Sequence, residues 1–161
     1  MSSMAASTAT ERVSEAARKL GLEIQIREFP EGTRTAETAA QAVGVAVGQI
    51  VKSLVFLADA RPVLCLVSGA NRLSPSRLAV LTGATNVRRA DAEEARTATG
   101  YAVGGVPPFG HSTVLPVFCD RDLMQHETVW AAAGTPMSVF SIAPEALVEA
   151  CAATVVDLKE V

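Results

Sequence analysis

The chain has 161 residues, 49% hydrophobic but only 4% aromatic, with a formal net charge of −3. That length suits one domain with a buried core, and the core must be aliphatic and alanine-rich. No run of about eighteen apolar residues occurs, which argues against a membrane-spanning helix, and an acidic total argues against a uniformly basic nucleic-acid surface.

The opening MSSMAASTAT has no basic residue before Arg12 and no long apolar stretch. It reads as a flexible tail over residues 1–9 rather than a secretory signal, with one domain over residues 10–161. TERVSEAARKLG predicts an amphipathic helix with Thr10 as N-cap and Gly21 ending it. LEIQIREF alternates as a half-buried strand, and TAETAAQAVGV reads as a short alanine-rich helix. QIVKSLVFLAD and RPVLCLVSG are two apolar strands joined across Asp59-Ala60-Arg61-Pro62, a hairpin signal. SPSRLAVLTG starts a helix at Ser74 with Pro75 at its first position and Gly83 after its end. NVRRA is a short strand and DAEEARTATG a helix with acids in its first turn. STVLPVFCD, TVWAAAGT and MSVFSI follow as strands, then APEALVEACA as a helix and TVVDL as a closing strand. The irregular interleaving predicts a single mixed α/β domain with a curved mixed sheet flanked by helices.

The charge is uneven. Residues 1–89 carry 11 Lys+Arg against 7 Asp+Glu, a net +4, while residues 90–161 carry 3 against 10, a net −7. A polyanion could dock on the basic half, although an unevenly charged soluble surface explains the same split. Cys65, Cys119 and Cys151 are an odd number without CxxC spacing, and two lie in apolar runs. They read as buried free thiols of a cytoplasmic protein rather than as disulfides, metal ligands or nucleophiles.

Lys52 carries the sharpest chemical signal. Of 14 basic residues 11 are arginine, and Lys52 starts the apolar strand QIVKSLVFL. Period two places it with Leu54 and Phe56, and Ser53 opposite. Such a lysine either snorkels from the strand end or aims a compact ammonium at one ligand atom. TGYAVGGVPPFGH, from Thr99 to His111, supplies a complementary part. Gly104 and Gly105 let backbone amides approach a ligand, while Pro107 and Pro108 stiffen the loop. Stiff loops lined by donors hold oxyanions and phosphates, and an ordinary helix-to-strand connection would look similar. Gly100 to Gly105 has P-loop-like spacing, but Val106 stands where a lysine belongs. GxGxxG, HExxH and GxSxG are absent. His111 and His126 are too few for a zinc site, and His111 beside Ser112 points to the opposite face of a strand. His126 reads as a solvated loop residue, and Asp120 and Asp122 as a strand end and turn cap.

These blocks together resemble the YbaK/EbsC family, relatives of the editing domain of bacterial prolyl-tRNA synthetase. The similarity runs through TAETAAQAVGVAVGQIVKSLVF, LVSGANRLSPSRL, TGYAVGGVPPFGH, LPVFCD and VWAAAGTP, covering roughly residues 20 to 158. It implies that family's fold and its activity, hydrolysis in trans of aminoacyl-tRNA bearing the wrong amino acid. The family's invariant lysine falls on Lys52 and its GxxxP loop on Gly104 to Pro108. Its small-residue pocket loop falls on Ala133, Gly134 and Thr135. Lys52, Gly104 and Gly105 are thereby the expected catalytic residues. Ser53, Pro107, Pro108, His111, Ala133, Gly134 and Thr135 are the expected substrate-binding ones, although members differ at the His111 position.

The expected substrate carries alanine, serine, threonine or cysteine, on tRNA-Pro or a related tRNA, and no cofactor or metal is required. Arg72, Arg77, Arg88 and Arg89 are the expected tRNA contacts, with a transient contact to an aminoacyl-tRNA synthetase and none to DNA or membrane. A non-catalytic binder of aminoacyl-adenosine ends or free amino acid would share the same lysine and fold, and release of amino acid separates the two readings. A small-molecule ester or thioester hydrolase is a third, weaker reading, because no nucleophile motif is present.

Overall fold

A computed structural model describes residues 8–161. Helix α1 spans Ala9–Lys19 and is capped by Thr8, not Thr10. Glu11 lies three residues after Thr8, so the pair closes a reciprocal capping box: Glu11 N–H donates to Thr8 Oγ1 and Thr8 N–H to Glu11 Oε1. Thr10 has Val13 at that spacing and cannot close one. Of the expected tail, residues 1–7 lie outside the described residues, while Thr8 and Ala9 belong to the helix start. Val13 and Ala17, one turn apart, are fully buried.

The alternating stretch after α1 forms far less ladder than its pattern suggests. Only Arg27–Glu28 (β1) pairs with another strand. Leu22, Ile24 and Ile26 still pack on the core. Alternation reports which face is buried, not whether a partner edge is available. Helix α2, Ala36–Val43, follows with its own box between Thr35 and Thr38.

Strands β2 (Val51–Ala58) and β3 (Arg61–Ser68) form a hairpin in eight-residue register from Val51↔Ser68 to Ala58↔Arg61. Its turn is only Asp59–Ala60, both at positive φ (49° and 70°), so Arg61 and Pro62 belong to the strand. Asp59 holds this left-handed turn by accepting from the Thr85 and Asn86 amides.

The remaining elements are α3 (Pro75–Thr82), β4 (Val87–Arg89), α4 (Ala92–Thr99), β5 (Val117–Asp120), β6 (Val129–Ala132), β7 (Ser138–Ile142), α5 (Pro144–Cys151) and β8 (Thr154–Val156). Ser74 caps α3 with Pro75 at its first position, and Asp91 with Glu94 closes a box on α4. The strands make two sheets rather than one: β4-β2-β3-β5-β8, with β3, β5 and β8 parallel, and an antiparallel β1-β7-β6. Among the described residues a single bridge, Ile50↔Trp130, links them at the start of β2.

Alternate residues of the hairpin feed two cores. Val55, Leu57, Leu64 and Leu66 pack with Val13 and Phe140, while Phe56, Val63, Cys65 and Val67 pack under Leu78 and Leu158. Each buried leucine contributes about 1.5–3 kcal/mol. The three cysteines are free, and burial pushes each thiol up to about 12, so none supplies a thiolate near neutrality.

Candidate active site

The site forms where β2 lacks a neighbour. β4 pairs only with Phe56–Ala58, and the ladder closes with Ala90 N–H donating to Val55 C=O at 3.0 Å. Upstream, residues 51–54 have no ladder partner on that side. Backbone groups alternate sides along a strand, so Ser53, two residues before Val55, turns its own toward the open edge. A cavity of about 350 Å³ lies there. Its walls come from the α2 start (Glu37), α4 (Ala95), the glycine loop (Gly104, Val106) and the end of β6 (Trp130, Ala131).

Lys52 lies in that wall, half-buried, and its ammonium donates to the backbone carbonyl of Asn71. Burial lowers its pKa from the ordinary lysine value. Glu37 opposes that shift, Arg89 and Arg72 add to it, and Asp120 opposes it weakly. Ser53 Oγ, also in the wall, is the one buried side-chain polar atom without a partner among the described residues. A buried hydroxyl left unpaired costs about 1–3 kcal/mol, and a ligand in the cavity could repay it. Among the described residues no group of three or more His, Cys, Asp or Glu is placed to hold a metal ion.

Gly104 and Gly105 are required for different reasons. Gly104 has φ +91° and lies under the Arg34 side chain. At Gly105 a Cβ would meet the N, Cα and C atoms of Thr135 at 2.7–2.8 Å, so the glycine loop and the β6–β7 turn are locked backbone to backbone.

A family model described as the aminoacyl-tRNA editing domain matches residues 30–150. The chain belongs to the aminoacyl-tRNA editing domain family. A solved structure described as a candidate trans-editing enzyme for prolyl tRNA synthetase superposes with a TM-score of 0.91 at 47% identity, over 98% of this chain and 100% of that one. A candidate Cys-tRNA(Pro)/Cys-tRNA(Cys) deacylase, EbsC of Enterococcus faecalis, is 28% identical over 74% of this chain and 73% of its own length. The proline–tRNA ligase of Nitratidesulfovibrio vulgaris strain DP4 is 34% identical over 75% of this chain, which spans 22% of that enzyme.

Within this editing domain, Lys52, Ser53, Gly104 and Arg89 reach the cavity. Gly105 does not line it, and its amide is spent on the Ala102 carbonyl at 3.0 Å. Pro107 and Pro108 are buried beneath the loop, and their carbonyls bond His111 Nε2 (2.7 Å) and the Cys151 thiol (3.1 Å). His111 is therefore a loop brace, and burial lowers its pKa. Ala133, Gly134 and Thr135 form the β6–β7 turn rather than a cavity wall. Thr135 Oγ1 is engaged by Ser138 Oγ at 2.7 Å and by the Met137 amide. The wall lies one step earlier in the same block, at Trp130, Ala131 and Ala132.

Of the four expected arginine contacts, Arg77 pairs with Asp157 (3.2 Å) and Arg88 with Glu94 (2.7 Å), while Arg72 and Arg89 have no ion-pair partner among the described residues. Sequence reasoning missed Arg34 and Glu37. Their only local signal is the Thr35–Thr38 capping box, which sets them on either side of the α2 start.

Proposed function

We propose that this editing domain is a deacylase working in trans, which hydrolyses mischarged aminoacyl-tRNA bearing a small amino acid (alanine, serine, threonine or cysteine) on tRNA-Pro or a related tRNA. The observation that carries the reading is Lys52, a half-buried lysine at the open edge of β2 that lines the same cavity as Gly104 and whose ammonium is held by one backbone carbonyl. A charged donor in a partly desolvated site stabilises developing negative charge far better than one in water.

An aminoacyl ester is already activated, so the chain must chiefly orient it and hold its oxyanion. Water attacks the ester carbonyl carbon, the carbon–oxygen bond to the ribose breaks, and the water's proton ends on the ribose oxygen through a substrate hydroxyl or a second water. Lys52 holds the ester or the adjoining phosphate throughout. Glu37, the one acid in the wall, suits the substrate's α-ammonium. Arg34, Arg72 and Arg89, without ion-pair partners among the described residues, suit the phosphates of the acceptor end. A synthetase that mischarges the tRNA is the natural transient partner, in keeping with the same domain's counterpart inside proline–tRNA ligases.

The test is release of free amino acid from mischarged tRNA by the purified chain. Multiple turnovers that Lys52→Ala abolishes, with circular dichroism unchanged, support the reading. Saturable tRNA binding with no release would replace it by the non-catalytic one.

A further inference from the structure

We infer that Asp120 and Asn71 are positioning residues for Lys52: a buried carboxylate fixes the turn whose backbone carbonyl grips the lysine. The inference rests on the deacylase reading of the cavity.

Asp120 ends β5 with no exposed surface. Its Oδ2 accepts from the Ser68 amide (3.0 Å) and from Asn71 Nδ2 (2.8 Å), and its Oδ1 accepts from the Asp122 amide (3.0 Å). Among the described residues no cation pairs with it. A buried, unpaired carboxylate is an expensive way to cap a turn, since an uncharged side chain could accept the same bonds at lower desolvation cost. The charge gains a purpose from what lies beyond the turn.

Asn71 cannot move independently of that carboxylate. Its side-chain amide also donates to Asp122 Oδ2 (2.9 Å), which Lys159 neutralises at 2.9 Å, and its backbone amide donates to Ser68 C=O (2.9 Å). The one group this leaves pointing outward is the Asn71 carbonyl, and Lys52 Nζ donates to it. The chain of contacts thus runs from the end of β5, across the end of β3, to the ammonium at the start of β2. The negative charge of Asp120 also favours the charged form of Lys52 from behind. Any displacement of the 68–71 turn is passed directly to the ammonium.

Asn71→Ala and Asp120→Asn test this, each measured for steady-state deacylation and for Lys52 reactivity. The chain has only three lysines, Lys19, Lys52 and Lys159. An amine-acylating reagent with peptide-resolved mass spectrometry therefore reports Lys52 against exposed Lys19 in the same sample. In both variants kcat should fall about 10- to 100-fold with KM little changed. The Lys52-to-Lys19 labelling ratio should rise several-fold, because the released amine is both freer and less stabilised as ammonium. Folded variants with wild-type kcat would overturn the inference, and so would a loss of kcat with an unchanged labelling ratio, which marks a merely structural role. Should Asp120→Asn fail to fold, Asn71→Ala carries the test alone. Lys52→Ala, run alongside, keeps the two readings apart. Absence of amino-acid release by the wild-type chain overturns the deacylase reading, and wild-type turnover by Lys52→Ala removes Lys52 from the active site and this inference with it, while the labelling ratio still decides whether Asp120 and Asn71 hold the lysine.

Discussion

Burial lowers the Lys52 pKa because a half-buried ammonium loses hydration that its single carbonyl partner does not replace. Its folded pKa therefore lies below its unfolded one, and between the two values the unfolded chain binds more protons. Folding stability then rises with pH through that window, and the charged lysine is a liability to the fold below it. Lys52→Met should accordingly melt at or above the wild-type temperature while losing deacylation; a clear fall in melting temperature would count against a functional reason for the charge. Lys52→Arg should also lose activity, because a planar fork cannot replace a point donor. Activity that needs the ammonium declines as pH rises through the lowered pKa. Glu37 opposes the lowering, so Glu37→Gln should move the alkaline limb of kcat/KM to lower pH. A limb that stays in place would remove Glu37 from the site. Ser53→Ala deletes the unpaired hydroxyl, and should leave stability unchanged or raise it by about 1 kcal/mol while KM rises.

The glycine loop and the β6–β7 turn behave as one element, because Gly105 leaves no room between them. Gly105→Ala forces a methyl group against the Thr135 backbone, which cannot rotate aside as a side chain could. We expect a loss of about 1–3 kcal/mol in stability and a fall in kcat as Gly104 and Val106 shift. A denaturation midpoint equal to wild type would show that the two segments are not locked. Sequence pattern could place the elements joined here but not this contact. The proline and glycine ends of α3 and the hairpin are local signals, and they were legible, whereas the α1 cap was placed two residues late, at Thr10, because the box that Thr8 closes with Glu11 was not weighed. The ladder partners of residues 22–29 and the division into two sheets depend on which edges are free after folding, and no local pattern encodes that. Lys52 was legible because a lysine at an apolar strand start is conspicuous among arginines. Arg34 and Glu37 were not, since only the packing of α2 against the open edge of β2 brings them to the cavity. The same limit applies to VWAAAGTP: its small residues stood out at Ala133, Gly134 and Thr135, while the residues of that block that line the cavity are Trp130, Ala131 and Ala132.

Across the whole molecule the cavity draws its walls from both sheets, two helices and the glycine loop, so charge and shape at its mouth are properties of the assembled fold. The +4 of the first 89 residues overstates the charge free for RNA, because Asp157 and Glu94 from the acidic part engage Arg77 and Arg88. Replacing Arg34, Arg72 and Arg89 together by Gln should weaken tRNA binding and flatten its salt dependence by up to about three phosphate contacts. The pair Arg77→Gln and Arg88→Gln should do much less, and equal effects would remove the distinction between paired and unpaired arginines. Under the proposed function, the shape of the cavity is what selects the amino acid. An aminoacyl-adenosine must share about 350 Å³ between nucleoside and acyl group, and the apolar wall is built from Ala95, Ala131, Val55 and Val106. Such a wall of small and branched aliphatic side chains, with the Ser53 hydroxyl beside it, suits the small acyl groups proposed above. A rigid wall can reject a larger residue strongly, whereas one missing methylene discriminates by only about 1–3 kcal/mol. In competition among tRNAs mischarged with alanine, serine, threonine and cysteine and correctly charged with proline, the small esters should therefore be cleaved first and the proline ester last. Val106→Ala, which moves the wall back by two methyl groups, should narrow that gap at a cost in stability. Preferential cleavage of the proline ester by the wild-type chain would show that the cavity does not select by size.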